Sequence, residues 1–203
     1  MGELVFLSSG VQMTKGNSLL RRYFSNKDVA QKKILLIGDK EPGWFALCSK
    51  TFIKLGFAPQ NIFTSREFDK TLASVDIDYI YMAEGNTFQQ LQFLKIGEWI
   101  PYIMDLWKKG AVYIGVSAGA HIACASVEPA AGFDDAGMYP VSNFSGLGLF
   151  NGVVIPHFSE NSILRINAKN NAIKQFTKDR VLLLRNSQMA IINALKTTIV
   201  ELE

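Results

Sequence analysis

The chain has 203 residues, of which 48% are hydrophobic and 19% charged, and its formal net charge at pH 7 is +3. This length suits one domain, over residues 1–203, with a sizeable core. The positive charges are scattered, which does not favour a nucleic-acid partner, and no apolar run approaches the roughly 18 residues of a membrane span. Because the first residues also lack the basic region of a signal peptide, we expect a cytoplasmic protein with no membrane partner.

Short apolar runs alternate with helix-like patterns along the chain. Strands are predicted at residues 4–7, 33–37, 61–64, 77–82, 111–114, 152–156, 181–184, 190–194 and 197–202. Helices are predicted at residues 17–24, 42–55, 87–95, 99–109, 118–125 and 162–176. Residues 127–151 are rich in glycine and show little periodicity, so we expect long loops with short strands there. The last three strands are expected to form an antiparallel ribbon.

Strands that alternate with helices predict an α/β fold with a mostly parallel sheet covered on both faces. In such sheets, binding sites form at the carboxyl ends of the strands. Four polar or small-residue segments follow predicted strands: residues 8–10 (Ser-Ser-Gly), residues 84–87 (Glu-Gly-Asn-Thr), Ser117 and His157. We expect these segments to converge at one edge of the sheet.

Residues 115–119 read Gly-Val-Ser-Ala-Gly, between a predicted strand and a predicted helix. This is the G-x-S-x-G pattern of a nucleophile elbow, in which a serine on a sharp turn presents its hydroxyl above the sheet. The alternative is a strand that runs into a helix through a turn of small residues. The strand–turn–helix context favours Ser117 as a nucleophile.

A serine needs a base to become nucleophilic, and the chain has only two histidines. His121 lies one helical turn beyond Ser117, which favours a structural role. His157 ends a predicted strand and is the preferred base. The third group, which would orient the imidazole, is open: Asp134 and Asp135 lie between serine and histidine but could equally form a solvated turn.

Hydrolysis of an acyl group also needs two N–H donors that converge on the developing oxyanion. By analogy with other elbows, the N–H of Ala118 supplies one donor. The turn that contains Gly85 is the candidate for the second. Taken alone, this turn is a helix start capped by Asn86 or Thr87.

The two cysteines, Cys48 and Cys124, lie in apolar, helix-like stretches. Their positions show neither C-x-x-C nor metal-ligand spacing, which favours buried free thiols over a disulfide. We expect a protein that uses neither a metal nor a cofactor.

Three segments together resemble peptidase E, the aspartyl dipeptidases related to cyanophycinase: residues 84–88 (Glu-Gly-Asn-Thr-Phe), 116–120 (Val-Ser-Ala-Gly-Ala) and 155–158 (Ile-Pro-His-Phe). The resemblance covers most of the chain and is strongest over residues 78–158. It implies a flavodoxin-like fold, related to class I glutamine-amidotransferase-like domains, and hydrolysis of peptides through an acyl-serine. It also implies Ser117 as nucleophile, His157 as base, and an oxyanion hole formed by Gly85 and Ala118.

The chain departs from the family pattern at several positions. Glu84, like the alanine before it, replaces a glycine beside the implied oxyanion hole, where a carboxylate would repel the developing charge. Asn186 stands where the family commonly has the acidic third member of the triad; Asp135, in the implied active-site loop, is the other candidate. The arginine-rich helix that reads the acidic side chain of the substrate is reduced to Arg165 and Lys169.

The resulting hypothesis is a serine-type peptidase that cleaves small peptides, with or without an N-terminal aspartate. Glu84, Asn86, Thr87 and Arg165 are the expected substrate contacts, and the expected assembly is a monomer or homodimer. One alternative is a degenerate family member that binds a peptide or small metabolite with little turnover. Another is an amidase or esterase built on the same elbow.

Overall fold

The computed structural model describes residues 1–70, 75–134, 139 and 143–202. Its strands are β1 (Leu4–Leu7), β2 (Ile34–Ile37), β3 (Ile62–Thr64), β4 (Tyr79–Met82), β5 (Val112–Val116), β6 (Val153–Ile155), β7 (Val181–Leu183), β8 (Gln188–Ile192) and β9 (Thr197–Glu201). Its α-helices are α1 (Thr14–Phe24), α2 (Pro42–Lys54), α3 (Thr87–Ile96), α4 (Trp99–Lys108), α5 (Ala118–Ala123) and α6 (Ile163–Gln175).

Seven strands form the main sheet in the order β3-β2-β4-β5-β1-β8-β9. The five strands from β3 to β1 are parallel, whereas β8 and β9 continue the sheet as antiparallel strands beyond β1. The predicted mostly parallel α/β architecture is therefore confirmed. The parallel order places the carboxyl ends of β4, β5 and β1 side by side, and the segments that follow them meet at one edge.

Helices cover both faces of the sheet, as the near-continuous apolar strands predicted. On one face, α1 and α2 pack on the sheet through residues such as Leu20 and Phe52, both fully buried. On the other face, α3, α4 and α5 pack through residues such as Leu91, Ile103 and Ile122. The two layers hold the strand ends, and the site built on them, in fixed positions.

The last three strands were expected to form one antiparallel ribbon, and this prediction is wrong. β7 instead pairs in parallel with β6 in a separate two-stranded sheet, and only β8 and β9 pair antiparallel. This pairing brings together strands that are far apart in sequence, and the buried residues Val153 and Ile155 pack there against α6. Local apolar patterns carry no information about such a distant partner.

Helix α1 begins at Thr14, not at the predicted Asn17. Gly16 lies inside the helix, where α1 rests directly on the turn after β1. A Cβ atom at Gly16 would lie 2.2 Å from the carbonyl oxygens of both Ser9 and Gly10. The glycine is there for close approach of two backbones, not for a turn.

Two further findings concern the cysteines and the helices. Cys48 and Cys124 are buried free thiols, as the sequence predicted. Within the ranges described above, no helix combines the length and apolar character needed to cross a bilayer.

The glycine that ends the elbow motif gives a stability prediction. A Cβ atom at Gly119 would lie 2.4 Å from the carbonyl oxygen of Met82, at the end of the neighbouring strand β4. We expect Gly119→Ala to lower the free energy of unfolding by about 1–3 kcal/mol, since the backbones of α5 and β4 must separate. Urea denaturation followed by circular dichroism measures this change.

Gly43 is the matched control, because it also lies in a helix but has no atom within 4 Å of its Cβ position. Gly43→Ala should leave stability unchanged or raise it by up to ~1 kcal/mol, as expected for a glycine replaced in an open helical position. Equal effects at the two positions would contradict the close packing of the elbow on β4.

Candidate active site

Ser117 lies in a strained backbone conformation between β5 and α5, with φ 48° and ψ −104°. Residues other than glycine rarely adopt positive φ, so the neighbouring structure must hold it. The Ser117 N–H donates to Leu7 O at 2.8 Å, and its carbonyl accepts from the N–H groups of Ala120 and His121 at 3.0 and 3.1 Å. The sheet thus fixes one side of the turn and the helix fixes the other, as in a nucleophile elbow.

His157 follows β6 and faces this serine. Its Nε2 atom lies 2.9 Å from the Oγ atom of Ser117, and both residues are half-buried. His157 is also at positive φ, 54°. The imidazole is therefore within hydrogen-bonding distance of the serine hydroxyl, the geometry that proton abstraction requires.

The other ring nitrogen of His157 meets Asn186. The distance from His157 Nδ1 to Asn186 Oδ1 is 2.6 Å, and the hydroxyl of Ser9 donates to the same oxygen at 3.5 Å. An amide oxygen only accepts hydrogen bonds, so Nδ1 carries the proton. Nε2 is then the unprotonated nitrogen, free to accept the proton of Ser117.

Hydrogen bonds from neighbouring side chains hold the turn that carries Asn186 in place. The side-chain oxygen of Gln188 accepts from the N–H of Arg185 at 3.0 Å, and its Nε2 donates to Glu201 at 3.0 Å. Ser187 donates to the other carboxylate oxygen of Glu201 at 3.2 Å. The C-terminal strand β9 therefore helps to fix the exposed amide of Asn186 against the imidazole.

The surroundings lower the pKa of His157 below its usual value of 6.5. Burial, which disfavours the imidazolium ion, is the main cause, and the positive charge of Arg165 acts in the same direction. The hydrogen bond with Asn186 and the charge of Asp134 oppose the shift in part. His157 is accordingly neutral at pH 7 and ready to act as a base.

The two expected oxyanion donors belong to segments that follow the adjacent strands β5 and β4. Ala118 opens α5, where the first N–H groups of a helix have no partner within the helix. Gly85 has φ 129°, a conformation that a side chain would strain. The Glu84 carboxylate accepts from the indole N–H of Trp44 at 2.9 Å, on the side of the sheet that α2 covers.

The remaining residues of this turn serve α3. The Asn86 side chain caps the helix, accepting from the N–H groups of Phe88 and Gln89. Thr87, an expected substrate contact, is fully buried: its hydroxyl lies 3.2 Å from His121 Nδ1, and its N–H donates to Asp134 at 2.8 Å. Both polar groups of Thr87 are thus occupied within the protein.

Asp134, a candidate to orient the imidazole, instead binds the start of α3 through Oδ2, while Nδ1 of His157 faces Asn186. Asp135, the other candidate, lies outside the described residues. Of the two candidates that lie within the described residues, Asp134 and Asn186, it is Asn186 that contacts the ring.

A second cluster lies beside the serine–histidine pair. The ring centroid of Phe133 is 5.5 Å from that of His121, and the guanidinium carbon of Arg165 lies 3.5 Å from the centroid of Phe133. Burial, helped by the charge of Arg165, lowers the pKa of His121 to about 3, so this histidine stays neutral. It has the structural role expected from the sequence.

Arg165 is partly buried, and burial lowers its pKa. One of its terminal nitrogens is buried without a hydrogen-bond partner among the described residues. A guanidinium N–H that is removed from water without an acceptor is unfavourable, which makes this position suited to an anionic group.

Two residues of the site were not assigned a role from the sequence. Ser8 accepts from the backbone N–H of His157, and Phe133 lies between His121 and Arg165. The position of Ser8 after the strand next to β5 was a signal for the first. For Phe133, whose partners His121 and Arg165 belong to two separate helices, the sequence held no signal.

Fold and site together define a class: an α/β protein with a nucleophile elbow and a Ser–His–Asn arrangement at the carboxyl ends of its parallel strands. The profile of peptidase family S51 matches residues 4–200. The chain belongs to peptidase family S51.

Related proteins agree with this assignment. The peptidase E of Citrobacter koseri is 34% identical over 91 residues, which is 45% of this chain and 38% of that protein. The chain thus aligns with less than half of the length of this relative.

A solved structure of a candidate peptidase E protein from Listeria monocytogenes EGD-e has TM-score 0.75 at 20% identity, with all of both chains covered. A peptidase from an acI-B1 Actinobacterium has TM-score 0.63 at 13% identity, covering 99% of this chain and 88% of the other. At these identities the structures support the fold alone.

Proposed function

We propose that the protein is a serine-type peptidase that cleaves small peptides through an acyl-serine intermediate. The observation that carries this proposal is the chain of hydrogen bonds from Ser117 through His157 to Asn186. The distance from Ser117 Oγ to His157 Nε2 is 2.9 Å, and that from His157 Nδ1 to Asn186 Oδ1 is 2.6 Å. Membership of family S51 supports the same activity. A strained serine held by a sheet and a helix is difficult to explain as a packing feature alone.

In the proposed reaction, Ser117 Oγ attacks the scissile carbonyl carbon while His157 Nε2 takes the hydroxyl proton. The N–H groups of Ala118 and Gly85 are the proposed donors to the resulting oxyanion. The carbon–nitrogen bond then breaks, and the imidazolium returns its proton to the leaving amine. Water hydrolyses the acyl ester by the same steps, with His157 again as base, and Ser117 is regenerated.

Asn186 has a narrower role than an aspartate would have. Its oxygen holds the imidazole in the reactive tautomer and orientation, but a neutral amide stabilises the imidazolium less than a carboxylate. The same division of roles occurs in Cys–His–Asn peptidases. We therefore propose a complete Ser–His–Asn triad in which the serine is less strongly activated than it would be with an aspartate as third member.

Arg165 is the proposed contact for an acidic side chain of the substrate. One of its buried nitrogens has no acceptor among the described residues. Burial is the main cause of the lowered pKa of His157, and the charge of Arg165 is close enough to lower it further. A substrate carboxylate would supply the missing acceptor. This is the basis for proposing preference for an N-terminal aspartate.

Arg165→Gln tests this preference. We expect kcat/KM for aspartyl-alanine to fall about 10- to 100-fold, the effect of a lost hydrogen bond to a charged group, while asparaginyl-alanine is hydrolysed at the parental rate. Release of free alanine, measured chromatographically, follows both reactions. Arg180→Gln, which changes an exposed arginine directly before β7, is the matched control and should change neither. Equal losses on both substrates would exclude Arg165 as the acidic-group contact.

A further inference from the structure

Ser8 lies at the end of β1 and is 1% exposed. Its hydroxyl donates to the carbonyl oxygen of Leu184 at 2.9 Å and accepts from the backbone N–H of His157 at 3.0 Å. One hydroxyl thus joins the strand next to the elbow, the histidine, and the segment two residues before Asn186.

β1 is also the strand to which the nucleophile is attached. The N–H of Ser117 donates to Leu7 O at 2.8 Å, directly before Ser8 in the chain. The last residue of β1 and the residue that follows it therefore contact opposite sides of the site: Leu7 binds the serine backbone, and Ser8 binds the histidine backbone. The distance between Ser117 and His157 depends on this common attachment.

The backbone of His157 needs such support. Its φ of 54° is a conformation that an L-residue adopts at an energetic cost, and it follows the short side sheet rather than the main one. Leu184 extends the same side sheet, because its N–H donates to Ile155 O. Near the site, the two hydrogen bonds of the Ser8 hydroxyl connect the segments that follow both strands of this side sheet to the end of β1.

We propose that Ser8 is a positioning residue that holds the imidazole of His157 and the amide of Asn186 in line with Ser117. Ser8 does not touch the reacting atoms; it acts through the backbone of His157 and of Leu184. This inference rests on the proposed function, in which the alignment of imidazole and serine determines the rate. Small misplacements of catalytic groups have large effects, on the order of 10²-fold for about 1 Å.

The test is the second-order rate at which a fluorophosphonate labels Ser117. We expect Ser8→Ala to label about tenfold or more slowly at a temperature where circular dichroism shows it folded, and Ser8→Thr, which keeps the hydroxyl, to regain most of the rate. Thr51→Val is the control, because Thr51 is also a buried hydroxyl that donates to one carbonyl, Leu47 O, but lies within α2. It should label at the parental rate.

A second readout does not depend on hydrolysis. The Nδ1 proton of His157, bonded to Asn186, should give a downfield proton NMR signal in the parent and in Ser8→Thr but not in Ser8→Ala. If Ser8→Ala does not fold, Ser8→Cys, with a weaker donor and acceptor of similar size, replaces it in both measurements.

The outcomes separate the two proposals. If the folded variant without the Ser8 hydroxyl is labelled at the parental rate and keeps the Nδ1 signal, the proposed role of Ser8 is wrong. A parent that is not labelled at all, but whose Nδ1 signal disappears in Ser8→Ala, would keep the role of Ser8 and overturn the proposed hydrolase.

Discussion

Replacing Ser117 by alanine is expected to lower kcat/KM for peptide hydrolysis by about 10³-fold or more. The hydroxyl is the proposed nucleophile, and its Oγ atom lies 2.9 Å from Nε2 of the imidazole. The fold should persist, because Leu7 and the first turn of α5 hold the backbone of residue 117 without its side chain. Release of amino acid from aspartyl-alanine, with circular dichroism of the same sample, measures both effects.

Ser25→Ala provides the control for this variant. Ser25 is an exposed serine at the end of α1, and its hydroxyl only donates to Arg22 O. Its loss should leave the rate unchanged. A Ser117→Ala variant as active as the parent would exclude the acyl-serine mechanism.

Asn186→Asp is expected to change both the rate and its pH dependence. A carboxylate at this position would stabilise the imidazolium, so the pKa of His157 should rise. The same stabilisation acts on the imidazolium that forms in the transition state, and we expect kcat/KM above this pKa to increase about tenfold, which corresponds to ~1.4 kcal/mol. The substitution exchanges atoms of nearly equal size, so packing should not change.

The direction of the pH effect follows from the base role of His157. Burial and Arg165 lower its pKa below 6.5, so the parent should lose activity only as the pH falls below that value. In Asn186→Asp this acid limb should move to higher pH. Profiles of kcat/KM between pH 4 and 9 show the limb directly, and a variant profile that coincides with the parental one would contradict the contact between residue 186 and the imidazole.

Much of the fold followed from local patterns. The apolar runs and helix periods located the strands and α-helices that the structure describes to within a few residues, because most of them bury an apolar face and have a polar or glycine end. The G-x-S-x-G segment also predicted the elbow: Gly119 allows the close approach now seen between α5 and β4, and Gly115 allows the first turn of α5 to lie close to β5. His157 could be selected because the chain offers few bases.

The rest depended on contacts between distant segments. The pairing of β6 with β7 joins residues about 28 positions apart, and no local signal indicates it. The choice between Asp134 and Asn186 could not be made from spacing, because it depends on Asp134 being bound to Thr87. The role of Ser8 was hidden for the same reason: a serine after a strand looks like an ordinary turn until its partners are known.

Labelling with a fluorophosphonate probe, followed by peptide mapping of the parent and of His157→Ala, tests the central claim most directly. Such probes react with serines that their surroundings make nucleophilic. We predict labelling at Ser117 in the parent and its loss in His157→Ala, because Nε2 of His157, 2.9 Å from Oγ, activates the hydroxyl. A folded parent that is not labelled would contradict the claim and would favour a family member that binds peptides without cleaving them.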